Sequence, residues 1–104
     1  MSDFITVARV GEIPDGQGRT FRAGGQAVAV FRVGDDYYAL DDRCPHMGAS
    51  LGLGEVRDGM VICDRHLWSF RLSDGACAES GRLRAETLAV RVCDGMIQVR
   101  IPAG

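Results

Sequence analysis

Apolar positions along the chain fall in short runs separated by Gly- and Asp-containing turns, the spacing of strands in an all-β sandwich or barrel. No helical stripe extends beyond about a turn. A first strand is predicted over 4–10, followed by a turn at Ile13-Pro14-Asp15-Gly16, where Pro fixes φ and Gly admits positive φ. Strands over 18–22 and 26–33 flank Gly24-Gly25, a two-residue hairpin signal. Within 26–33, Ala27, Ala29, Phe31 and Val33 share one face, while Val28, Val30 and Arg32 share the other. Both faces are mostly apolar, so this strand is expected near the centre of a sheet. Gly34-Asp35-Asp36 turns the chain into a strand over 37–41. The interval 47–58 is predicted to be loop, with Ala49 and Leu51 plugging the core beneath it. Short strands over 60–63 and 68–72 follow, with Trp68 and Phe70 facing one side as core anchors. After a turn at Ser73-Asp74-Gly75 and a poorly patterned stretch over 76–85, strands over 87–92 and 96–101 flank an Asp94-Gly95 hairpin turn.

Composition narrows the function classes. At 104 residues the chain is expected to form a single domain, 1–104, with no room for a separate catalytic domain. A net charge of −2 with no basic run argues against nucleic-acid or membrane-surface binding. The N-terminal residues carry neither a basic region nor a long apolar stretch, which implies a cytoplasmic address and no secretory signal. No apolar run reaches the length of a membrane span. In a chain without an export signal, four cysteines are better explained by metal binding than by disulfides.

The candidate chemistry lies in two segments. Cys44-Pro45-His46 offers a thiolate and an imidazole as Cys-x-His, and Cys63-Asp64-Arg65-His66 offers the same pair as Cys-x-x-His, sixteen residues intervening over 47–62. Structural zinc sites usually draw two ligands from a loop across a gap of two to four residues. Cys-x-His is tighter, and it suits two adjacent metal atoms better than one. A [2Fe-2S] core with both cysteines on one iron and both histidines on the other meets that requirement. Each segment would then give one ligand to each iron, through Cys44, His46, Cys63 and His66. Gly48, Gly52 and Gly54 could bring backbone N–H groups to the cluster sulfurs. Cys77 and Cys93 are expected to be small buried hydrophobes. Asp42 and Arg43, just before the first ligand, fit a solvated turn better than a role in supporting the ligands.

Cys-Pro-His-x-Gly-Ala-x-Leu over 44–51 and Cys-x-x-His-x-Trp-x-Phe over 63–70 resemble the two cluster-binding boxes of Rieske-type ferredoxins and of the related small subunit of NADH-dependent nitrite reductase. The likeness extends to Tyr-Ala-Leu-Asp-Asp over 38–42, Gly54-Glu55-Val56, Ser73-Asp74-Gly75 and the closing Val-Arg-Val, Asp-Gly and Ile-Gln-Val fragments. It implies a Rieske-type antiparallel sandwich or barrel, with the boxes on two hairpin-like loops and the segment 76–85 over the cluster side. Three features depart from the family pattern. Asp64 and Leu67 stand where Pro and Gly are usual, and 77–83 lacks the proline many relatives carry. High-potential relatives pair two cysteines at positions that are Ala49 and Arg65 here, so the resemblance implies a low-potential centre.

The expected function is electron transfer: a soluble [2Fe-2S] ferredoxin carrying single electrons from a flavoprotein reductase to a terminal oxygenase. The alternative is the small subunit of a nitrite reductase, bound to its large subunit. A structural zinc module and a redox sensor are less favoured. With both His and two of the Cys used as ligands, catalysis by this chain alone is not expected.

Overall fold

The structure is a computed structural model, and it describes residues 4–43, 50–63 and 68–101. Ten strands make up the described chain: β1 (Phe4–Arg9), β2 (Gly18–Ala23), β3 (Gln26–Val33), β4 (Asp36–Asp41), β5 (Glu55–Arg57), β6 (Met60–Ile62), β7 (Ser69–Arg71), β8 (Thr87–Leu88), β9 (Val90–Cys93) and β10 (Met96–Arg100). One 3-10 turn, Leu51–Leu53, lies between β4 and β5. The strands form three antiparallel sheets, ordered β1-β10-β9, β2-β3-β4-β8 and β5-β6-β7.

The two-faced apolar pattern of β3 organises the layers. Val28 and Val30 project from one face and pack with Ala8, Ile97 and Val99 of the β1-β10-β9 sheet. Ala29 and Phe31 project from the other and pack with Val61 and Phe70 of the β5-β6-β7 sheet. In β4, Ala39 joins the first of these cores and Leu40 the second. The β2-β3-β4-β8 sheet is thus a middle layer, as the expected all-β sandwich requires, and burial on both faces explains why β3 is apolar on both.

The hairpins follow their turn chemistry. Gly24 and Gly25 both have positive φ, 58° and 80°, between β2 and β3, and Asp94 and Gly95 do the same at 52° and 76° between β9 and β10. Positive φ at both central residues is the turn whose twist matches that of the flanking strands.

Three expectations need correction. The interval 47–58 is not loop throughout, since Glu55–Arg57 pairs with β6 as β5. The strand expected over 87–92 is divided: Thr87–Leu88 pairs with β4, and Val90–Cys93 pairs with β10. Ala89 is the corner, its carbonyl accepting the Arg100 N–H at 2.9 Å as the chain leaves one sheet for another. Finally, Cys93 is exposed whereas Cys77 is buried as expected. Cys93 ends β9, an edge strand whose Arg91 and Val92 are exposed as well.

Candidate metal centre

Of the four proposed ligands, Cys63 lies within the described residues, while Cys44, His46 and His66 lie outside them. Met47, Gly48, Ala49, Asp64, Arg65 and Leu67 also lie outside. The described residues fix where both ligand segments begin and end.

The second segment, 64–67, is bracketed by β6 and β7. These strands pair from Met60 with Arg71 to Ile62 with Ser69, and the Cys63 N–H donates to the Trp68 carbonyl at 2.6 Å. Cys63 is fully buried and takes part in no disulfide. It shares a core with Leu51, Val61, Phe70 and Cys77, against which Trp68 packs while half-buried. The expected anchoring by Trp68 and Phe70 and the plugging by Leu51 are therefore present.

The first segment, 44–49, is bracketed by Arg43 and Ser50, which form an antiparallel bridge. The Leu51 N–H donates to the Asp42 carbonyl at 2.7 Å, and the Asp42 N–H donates to the Ala27 carbonyl at 3.1 Å. The exit is packed so closely that glycine is required. A Cβ at Gly52 would collide with Thr20 Oγ1, and one at Gly54 would collide with the Ile62 carbonyl and lie 2.8 Å from Val61 Cγ2.

Described flanks of both segments, Ser50 and Cys63, lead to and from one end of a single hairpin. β5 and β6 pair from Arg57 with Met60, beside the turn Asp58-Gly59, to Glu55 with Ile62 at the open end. Ser50 precedes that open end through the Leu51–Leu53 turn, and Cys63 follows it directly. The exit of the first box and the entry of the second are thereby brought together.

Two details differ from the sequence expectation. The Gly52 N–H donates to Asp42 Oδ1 at 2.8 Å and the Gly54 N–H to the Leu51 carbonyl at 3.0 Å. These amides hold the protein's own backbone and side chains, so their assignment to cluster sulfurs is withdrawn. Asp42 is likewise no solvated turn residue. It is buried, at 7 % exposure, while Arg43 is exposed.

The segment 76–85 folds along β7, the strand that leaves the second box. Cys77 bridges Phe70, Ala76 bridges Arg84, and the Ala78 N–H donates to the Ser69 carbonyl at 2.9 Å. Glu79 completes the attachment by accepting the Ser69 N–H at 2.7 Å, with the Cys77 thiol at 3.6 Å. That Ser69 hydrogen bond, above all, holds the Glu79 carboxyl below its usual value of 4.5. A carboxyl lowered in the folded state adds stability above its unfolded-state pKa and loses it as pH falls through the folded-state one. In acid-unfolding curves taken downward from neutral pH, Glu79→Gln should therefore flatten the loss of stability that wild type shows below about 4.5. Superimposable curves would show that Glu79 contributes nothing to acid stability.

A Rieske [2Fe-2S] domain model matches residues 3–93, most of the chain and both boxes. The chain belongs to the Rieske family. Among curated proteins, this Rieske chain is 36% identical over 81 residues to the anthranilate 1,2-dioxygenase ferredoxin subunit of Burkholderia cepacia, covering 76% of the chain and 74% of the relative. It is 34% identical over 72 residues to the 3-phenylpropionate/cinnamic acid dioxygenase ferredoxin subunit of Escherichia coli K12, covering 68% and 67%. A 47% identical stretch of 55 residues matches cholesterol 7-desaturase of Drosophila melanogaster, but spans 51% of the chain and 13% of that larger protein. Two solved structures superpose over nearly their whole length. One is the ferredoxin of carbazole 1,9a-dioxygenase from Nocardioides aromaticivorans IC177, with TM-score 0.89, 28% identity and coverage of 95% and 98%. The other is a protein assigned as the NADH-dependent nitrite reductase small subunit of Mycobacterium tuberculosis, with TM-score 0.90, 28% identity and coverage of 99% of each chain.

The family's cofactor is one [2Fe-2S] cluster, and the residues fit it. Cys63 provides a thiol engaged in no disulfide at the mouth of the second box, and the sequence supplies the second thiol and two imidazoles that such a centre takes. Among the described residues, which include Cys63 but not Cys44, His46 or His66, no group of three or more His, Cys, Asp or Glu converges. No helix of the described residues is long and apolar enough to cross a membrane.

Proposed function

We propose that this chain is a one-electron carrier whose [2Fe-2S] cluster is held by Cys44, His46, Cys63 and His66. The observation that carries the proposal is the β5–β6 hairpin, whose open end joins the exit of the Cys-x-His box to the entry of the Cys-x-x-His box. When bound, the cluster supplies reversible one-electron chemistry, and replacing two thiolates by neutral imidazoles raises the potential of such centres to roughly −150 to +300 mV. The chain's own part is positional. Cys63 anchors the second box within the core, Leu51 and Trp68 pack beside it, and the Arg43–Ser50 bridge sets the base of the first box.

The dioxygenase ferredoxin subunits among its relatives support a carrier that delivers electrons to an oxygenase, and we propose a flavoprotein reductase as its donor. A solved complex of oxygenase with ferredoxin in carbazole 1,9a-dioxygenase, whose ferredoxin matches 96% of this chain at TM-score 0.85, supports the oxygenase side of that proposal. Coverage of 99% of the nitrite reductase small subunit supports a second assignment, as a subunit resident on a large reductase. We place the site of action in the cytoplasm.

Elemental analysis tests the centre. Purified protein should contain two irons and two acid-labile sulfides per chain, and one zinc without sulfide would replace the proposal with a structural zinc site. Affinity capture from native extract separates the two assignments. A shuttle should elute alone and reduce an added oxygenase, whereas a subunit should remain with a large sirohaem protein through gel filtration.

A further inference from the structure

The Asp42 carboxylate lies two residues before Cys44, and a single oxygen of it gathers three donors from two separate parts of the chain. Thr20 Oγ1 of β2 donates to Asp42 Oδ1 at 2.9 Å, Ser50 Oγ at 2.9 Å and the Gly52 N–H at 2.8 Å. Thr20 belongs to the middle sheet, while Ser50 and Gly52 lie on the chain just after the first box. The two hydroxyls also approach each other to 3.1 Å. Each has one proton to donate, so with both directed at Asp42 that approach is a proximity and not a further bond. The closeness of packing fixes the arrangement, because a Cβ at Gly52 would collide with Thr20 Oγ1 and come within 3.0 Å of Asp42 Oδ1.

We infer that Asp42 is a positioning residue for the metal centre: its Oδ1 ties the entry and exit of the Cys44–His46 box to each other and to β2. The backbone bond from Leu51 to Asp42 and the Arg43–Ser50 bridge already hold the base of the segment in register. The side chain adds the third attachment, to Thr20, which relates the box to the scaffold. Such groups acting behind the ligands typically change metal affinity by 10–100-fold when lost. This inference rests on the ligand assignment above, and wild-type iron and sulfide content tests that assignment separately.

The experiment compares purified Asp42→Ala, Asp42→Asn and Val99→Ala with wild type. Val99 is fully buried in the core on the far face of the middle sheet and serves as a stability control. Iron release to a chelator well below every melting temperature, the EPR spectrum of the reduced protein, and Tm are measured for each. Asp42→Ala should release iron roughly 10–100-fold faster than wild type and shift the EPR g values. Asp42→Asn keeps an acceptor at Oδ1 and should restore most of both. Val99→Ala should lower Tm while leaving release and EPR as in wild type. Wild-type behaviour of Asp42→Ala would overturn the inference, as would changes in Val99→Ala matching those of Asp42→Ala, or an Asn variant no better than Ala. If Asp42→Ala does not fold, Thr20→Val removes one of the three donors; its iron release should rise several-fold, and an unchanged rate would overturn the inference.

Discussion

Replacing Cys63 by Ala should give a colourless protein with no iron or sulfide, while Cys77→Ala and Cys93→Ala remain coloured and fully loaded. All three cysteines are outside disulfides, and two of them, Cys63 and Cys77, occupy the same core. Burial therefore cannot distinguish them. Position does: Cys63 ends the β6 approach to the second box, whereas Cys77 bridges Phe70 on the far edge of β7, its thiol directed to Glu79 at 3.6 Å. Cys93 ends an edge strand of a different sheet. Because the cluster stabilises the folded state it binds, Cys63→Ala should also melt at lower temperature than Cys77→Ala. Iron analysis, visible spectra and thermal unfolding of the three variants decide the matter. A loaded Cys63→Ala, or a colourless Cys77→Ala, would require a different ligand set.

What the sequence made legible and what it hid divide along physical lines. Gly24-Gly25 and Asp94-Gly95 announce their hairpins because the required backbone is local to two residues. The apolar alternation of β3 likewise reveals a middle strand, since each face meets its own core. β5 gave no such signal. Glu55-Val56-Arg57 offers one half-buried apolar residue between two exposed charges, and it is a strand because β6 lies beside it. The break at Ala89 is also non-local, set by which neighbour each half of the segment pairs with, β4 or β10. Asp42 was hidden for the same reason. Its burial depends on Thr20, twenty-two residues earlier, and nothing in Asp-Asp-Arg-Cys distinguishes an anchoring carboxylate from a solvated one. The two boxes were legible as a family motif, matched by the Rieske domain model over 3–93, because metal chemistry constrains residue type and spacing directly. The hydrogen bonds that hold the boxes come from the fold.

Phe70→Ala should be the most destabilising of the variants considered. Phe70 is fully buried and lies opposite Val61 in β7, where it bridges Cys77 and joins the core that also contains Cys63 and Leu51. Truncating a buried Phe to Ala costs about 3–5 kcal/mol, from lost transfer energy and from the cavity left behind. In a domain of this size each kcal/mol moves Tm by about 4–8 °C, so a fall of roughly 12 °C or more is expected. The choice of control sharpens the test. Leu53 is also a large apolar residue near the first box, yet it is 78% exposed, and Leu53→Ser should change stability by no more than about 0.5 kcal/mol. The contrast carries a second expectation about the site. Phe70 belongs to the β6–β7 strand pair that leads to and from the second box and shares a core with Cys63, so its loss should lower cluster content as well as Tm. Val99→Ala, which opens the core on the other face of the middle sheet, should lower Tm alone. Equal cluster loss in both core variants would mean that the two cores unfold as one unit and that the β5-β6-β7 layer holds the boxes no more directly than the rest of the protein.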